Sequence, residues 1–229
     1  MSDAENVKYI LASGSPRRIE MMRAKGYEPL VFPADIDENI PLYHDMYETV
    51  MFLALKKAQW VRERFNAEKP AEIETGKASA ISANENDLPL QSEQNTDSVD
   101  KAAAKQIIIA ADTIVYSDGE IMGKPVDAED GFRMLAKLRN TYHYVVTGVA
   151  LLDAATGAGK VFTEVTKVWF TDYSDEELNE YLAADEAYDK AGGYAIQGYF
   201  SRFVDHIEGD YNTVVGFPWD RISAELASF

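Results

Sequence analysis

The residues most able to do chemistry begin close to the N-terminus. Ser13-Gly14-Ser15-Pro16-Arg17-Arg18 follows a short apolar segment, Tyr9–Ala12, and leads into a helix. Ser15 can cap that helix, with Pro16 at its first position and Gly26 as its stop. A helix N-terminus offers free N–H groups and a positive dipole end, and two arginines in the first turn add forked donors for phosphate oxygens. The dipole disfavours arginine there, so an anion bound between the pair would account for both. On local spacing alone, an ordinary capped surface helix accounts for the segment equally well. No GxxxxGK[ST] is present, so this is not a Walker loop.

Three further places could hold chemistry. Asp112-Thr113 follows the apolar run Ile107–Ala111, and a carboxylate at the end of a buried strand suits a metal or a base. Taken alone, a strand-terminating turn aspartate is the commoner case. Lys57 lies in a long helix from about Tyr43 to Phe65, whose apolar stripe centres near Tyr47 and Phe65. At ~100° per residue, Lys57 falls roughly 80° from the stripe's centre, while Lys56 points away into solvent. Lys57 thus suits either the rim of a cleft or a snorkelling cover over apolar surface. Gly123-Lys124-Pro125 sets a lysine in a rigid turn, a weak signal by itself. The segment Asp189–Gly198 combines three glycines with Gln197, whose amide can read a base edge as donor and acceptor. His44, His143 and His206 have no metal-ligand spacing.

The elements that must position these residues alternate in type. Beyond the strand at Ile107–Ala111, Glu120–Met122 reads as a short strand and Ala128–Arg139 as an amphipathic helix. Tyr144–Leu152 and Val161–Thr171 read as two long strands, and Ser174 with Glu177 as a capping box opening a helix. The Gly-rich segment then leads into further short strands and a helix after Pro218. The expectation is α/β, with a mixed sheet and flanking helices. Residues 67–105 break the pattern, with no aromatics and eight acids against four lysines. They read as a polar, mobile insertion within a single domain spanning 1–229.

Composition bounds the function. In 229 residues, 22 Lys+Arg against 39 Asp+Glu give a net charge of −17. Such a balance argues against long nucleic acids and anionic membranes. Cysteine is absent, which excludes disulfides, thiolate metal sites and a thiol nucleophile. No apolar run is long enough to span a membrane, and Met1–Tyr9 lacks the features of a secretory signal, so a cytoplasmic protein is expected.

Taken together, the blocks resemble a known family along nearly the whole chain. Leu11–Arg18, Asp37-Glu38, Leu55–Ala58, Ala111–Thr113, Gly123–Pro125, Thr147–Val149, Asp189–Gly192, Ile196–Gly198 and Val215–Pro218 are similar, in order and spacing, to the signatures of the Maf family of nucleoside triphosphate pyrophosphatases. The resemblance implies two lobes around a central cleft, akin to inosine-triphosphate pyrophosphatases. It also implies hydrolysis of a nucleoside triphosphate to monophosphate and pyrophosphate with Mg²⁺ or Mn²⁺, and a homodimer. Arg17, Thr113 and Gln197 match the branch acting on dTTP and UTP. On this resemblance Asp112 is the base or metal-bound carboxylate, with Glu38 as a second metal-side carboxylate. Arg17, Arg18, Lys57 and Lys124 neutralise the triphosphate, Ser13 and Ser15 hold phosphate oxygens, and Thr113 and Gln197 read the pyrimidine. Two alternatives remain: a nucleotide-binding regulator of cell division without turnover, and a pyrophosphatase for 7-methyl-GTP.

Overall fold

One long strand organises the molecule. The run Ile107–Ala111 does not stop at Asp112, because Thr113-Ile114-Val115-Tyr116 are β-branched or aromatic and continue the pleat. The strand β3 therefore runs from Lys105 to Ser117, a span of roughly 40 Å. Asp112 sits mid-strand, opposite Gly148, and not at a strand end as its sequence context suggests.

The computed structural model describes residues 7–38, 45–68, 104–184 and 186–229. Before β3 come β1 (Val7–Leu11), α1 (Pro16–Ala24), β2 (Leu30–Val31) and α2 (Met46–Glu68). After it come β4 (Glu120–Met122), α3 (Ala128–Leu138), β5 (Tyr142–Asp153), β6 (Gly159–Phe170), α4 (Asp175–Leu182), β7 (Val204–Glu208), α5 (Tyr211–Val215) and α6 (Trp219–Ala227). The strands form one mixed sheet in the order β2-β1-β3-β5-β6-β7, with β4 added beside the far end of β3. β1 is parallel to β2 and β3, and the remaining pairs are antiparallel. The expected mixed α/β class is what the chain adopts.

The core divides along β3. In its first half, Ile107, Ile109 and Ala111 face Leu11, Met22, Phe217 and Trp219, while Ile108 and Ala110 face Ala54, Ala58 and Val61 of α2. In its second half, Val115 joins Met122, Leu135, Leu138, Tyr181 and Phe200 in a separate aromatic-rich core. Two lobes thus share one strand, and Asp112-Thr113 lies where they meet.

α2 can approach the sheet because Gly148 has no side chain: a Cβ there would lie 2.4 Å from the carbonyl carbon and oxygen of Val50. This close contact sets α2 beside the strand position that faces Asp112. Capping is as the sequence suggests at α4, where Ser174 and Glu177 form the full box. At α1 it differs, since Ser15 occupies the cap position but its side chain caps nothing. The Ala191–Phe203 region folds as short 3₁₀ turns and yields a single strand, β7, because Gly192, Gly193 and Gly198 take positive φ. Tyr47, expected near the centre of the buried stripe, is instead 41% exposed. Residues 69–103 of the expected insertion, and Tyr43 and His44, lie outside the described residues.

His143 is buried in the second core, its Nε2 2.7 Å from the Tyr194 hydroxyl, and burial pushes its pKa down to about 3. Its Nδ1 has no partner among the described residues. A native state that holds this imidazole neutral gains stability above the unfolded pKa of about 6.5 and loses it as pH falls toward 3. Between pH 7 and pH 5 the parent should lose about 2 kcal/mol more stability than a His143→Gln variant. Urea melts at the two pH values measure this, and parallel losses would show that His143 is not the group responsible.

Candidate active site

A cleft of about 600 Å³ opens between the lobes. Its lining gathers the polar and charged residues Ser15, Arg17, Arg18, Asp37, Glu38, Lys57, Asp112, Lys124, Asp189 and Lys190. Its lining also has an apolar share: Ile114, Val115, Ile121, Val145, Tyr194, Ile196 and Val214. Along β3, Thr113 lies between the charged Asp112 and the apolar Ile114.

Among the charged residues, Lys57 Nζ donates to Asp112 Oδ1 at 2.5 Å and pairs with Glu38 Oε1 at 2.6 Å. The Lys57 and Asp112 side chains are only 12% and 10% exposed, so this pair is shielded from water. Lys57 therefore faces the cleft, the first of the two orientations its position on the stripe allows. Lys56 does not simply point to solvent: its Nζ donates to the main-chain oxygen of Asp37 at 2.5 Å and so tethers the segment that carries Glu38. Burial pushes the Glu38 carboxyl up, but the hydrogen bond and charge of Lys57, with Lys124 and Arg18 behind, outweigh it and hold it below the ordinary range. Asp112 Oδ2 makes no hydrogen bond among the described residues and remains available.

The paired arginines divide their work. Arg18 donates through Nε to Gly216 O (2.9 Å), through Nη1 to Ala111 O (2.7 Å) and Ser13 Oγ (3.2 Å), and through Nη2 to Thr113 Oγ1 (3.2 Å). Its fork ties together the loop before α1, the middle of β3 and the turn after α5. Burial pushes its guanidinium down, opposed by Asp112 and Glu38 and aided by Arg17. Gly216, at φ +94°, is the residue that permits this approach, since a Cβ there would meet Thr113 Oγ1 at 2.9 Å. Arg17, by contrast, makes no hydrogen bond or ion pair among the described residues, and neither does Lys124.

Ser13 is not part of the cleft's lining; its Oγ accepts from the Ser15 N–H and from Arg18, which shapes the loop. Ser15 and Thr113 do line it. Gln197 is exposed and stands one residue beyond the lining, at Ile196. Lys190, which the sequence reading passed over as a functional residue, lines the cleft in an ion pair with Asp189. The signal for it was its place beside the Gly192-Gly193 turn, which brings the chain back to the cleft. Among the described residues no group of three or more His, Asp or Glu could hold a metal unaided. Two carboxylates completed by phosphate oxygens and water would suit Mg²⁺ or Mn²⁺, and Asp112 and Glu38, both on Lys57, are the pair that could hold one.

A family model described as Maf-like protein matches residues 8–229. The chain belongs to the Maf family. Relatives named dTTP/UTP pyrophosphatase match this Maf protein over nearly its full length. That of Caldicellulosiruptor bescii is 36% identical over 219 residues, covering 96% of this chain and 93% of its own. That of Bacillus cytotoxicus is 36% identical over 222 residues, covering 97% and 95%. A dITP/XTP pyrophosphatase structure from Mycobacterium abscessus overlaps 71% of this chain and 74% of its own, at 14% identity and a TM-score of 0.34, a likeness too loose to bear on the site.

The split between the two arginines in this Maf protein is open to direct test. Arg18→Leu strands buried carbonyl oxygens and should lower stability by about 2–4 kcal/mol, whereas Arg17→Ala should leave it within about 0.5 kcal/mol. Thermal melts of both variants give the comparison, and equal effects would contradict the assignment.

Proposed function

We propose that this Maf protein hydrolyses dTTP and UTP to the monophosphate and pyrophosphate. The observation that carries the reading is the Lys57 clamp on Asp112 and Glu38, set in a cleft where Arg17 and Lys124 make no hydrogen bond or ion pair among the described residues. The names of its relatives support the same substrates.

On this reading, the triphosphate lies among the charged residues, met by Arg17, Lys124, Lys190 and the loop around Ser15. The cations hold the phosphates still and stabilise the charge that gathers on the leaving pyrophosphate. Asp112 Oδ2 accepts the proton of a water that attacks the α-phosphorus, while Lys57 fixes the carboxylate through Oδ1. The new bond is from water oxygen to the α-phosphorus, and the bond from the α-phosphorus to the bridging oxygen breaks. Mg²⁺ or Mn²⁺ held by Asp112 and Glu38 would supply charge neutralisation at the phosphates. The base lies against the apolar residues, with Thr113 at its inner edge and Gln197 at its rim. The family resemblance extends the proposal to a cytoplasmic homodimer. No helix among the described residues is long and apolar enough to cross a membrane.

A panel of nucleoside triphosphates with Mg²⁺ or Mn²⁺, assayed for pyrophosphate, should show release from dTTP and UTP above the others. Nucleotide binding without release from any member would support a regulator in place of an enzyme, and preference for 7-methyl-GTP would reassign the substrate. Asp112→Asn should lower kcat by about a thousandfold or more in a protein that still folds, though with a lower melting temperature because Lys57 loses one of its two carboxylate partners; retention of most activity would remove Asp112 from the base role. Gln197→Ala should relax base preference more than it slows turnover, and equal losses on every nucleotide would make its role structural.

A further inference from the structure

We propose that Thr147, a buried residue that does not line the cleft, sets the hydrogen-bond polarity that Thr113 presents to substrate and so determines specificity for a pyrimidine carrying an N3–H. The inference rests on the pyrimidine reading above.

Thr147 is fully buried and lies directly opposite Thr113 in the pairing of β3 with β5. Its Oγ1 is 2.8 Å from the main-chain oxygen of Thr213 and 2.9 Å from Thr113 Oγ1. A carbonyl oxygen can only accept, so the single Thr147 proton is committed to Thr213. In the contact between the two hydroxyls Thr147 must then accept, and Thr113 must donate. Arg18 Nη2, which can only donate, reaches Thr113 Oγ1 from another side at 3.2 Å. The Thr113 hydroxyl has thus spent its proton and one lone pair on protein. A threonine hydroxyl ordinarily rotates to donate or accept as its partner demands. Here the direction is fixed by a chain running Arg18 to Thr113 to Thr147 to the Thr213 carbonyl, and only an acceptor lone pair is left for the cleft.

An acceptor at Thr113 selects a donor. Uracil and thymine both carry an N–H at N3, whereas cytosine presents a bare nitrogen there, so two lone pairs would face each other. Thr147 touches no substrate and acts through Thr113, as a positioning residue.

Equilibrium binding of the α,β-imido analogues of UTP and CTP, in Mg²⁺, tests this without turnover. The parent should prefer the UTP analogue. Thr147→Val frees the Thr113 proton to turn, and should reduce the UTP-to-CTP preference by about tenfold or more, while Thr147→Ser keeps it. An unchanged preference in the valine variant, or an equal weakening of both analogues, would overturn the proposal. On the unaltered protein, N3-methylation of the UTP analogue should weaken binding at least about tenfold, a measurement that stands even if the valine variant fails to fold; equal binding would refute an acceptor at Thr113. Pyrophosphate release from UTP together with an unchanged preference defeats this inference and leaves the functional reading standing. Failure of the parent to bind or cleave any nucleotide defeats both.

Discussion

An ammonium ion held between two carboxylates is the interaction on which the rest of the cleft depends. Asp112 and Glu38 would repel one another if brought this close unaided. Lys57 offsets that repulsion by pairing with both. Because Lys57 and Asp112 are nearly removed from water, losing either partner would strand a buried charge, a much larger cost than breaking a surface pair. The clamp also requires three parts of the chain to converge: the 37–38 segment tethered by Lys56, α2, and the middle of β3. The small size of Gly148 is what lets α2 come near enough.

Around the clamp, charge is distributed by role. The chain carries 17 more acids than bases, yet the cleft collects Arg17, Arg18, Lys57, Lys124 and Lys190. Acids such as Asp172, Asp175 and Glu176 face outward. A long nucleic acid would meet that acidic exterior, while a single triphosphate need meet only the cleft. Within the cleft the cations are not equivalent. Arg18 is committed to four protein acceptors and Lys57 to two carboxylates, so they hold the site's shape, whereas Arg17 and Lys124 make no hydrogen bond or ion pair among the described residues and are the ones proposed to meet the triphosphate.

Much of this was legible in the sequence wherever a local pattern governs the outcome. The isoleucine run marks a buried strand, the Ser174–Glu177 pair marks a helix start, and the angular position of Lys57 admits a side chain aimed at a cleft. Local pattern misleads where distant partners decide. Asp112 looks like a strand terminus, but pairing with β5 extends the strand past it. Arg18 looks like the twin of Arg17, and only residues 93, 95 and 198 positions away in the chain convert it into a brace. Ser15 looks like a cap, yet its N–H is drawn to Ser13 Oγ. The hydroxyl chain through Thr147 is of the same kind, since it joins β3, β5 and the middle of α5, and no spacing rule relates them.

The central claim is that the clamped Asp112 carboxylate directs water to the α-phosphorus. Hydrolysis of UTP in ¹⁸O-labelled water, with mass analysis of both products, tests it most directly. The account predicts label in the monophosphate and none in the pyrophosphate. Label in pyrophosphate, or release of inorganic phosphate with a nucleoside diphosphate, would contradict it.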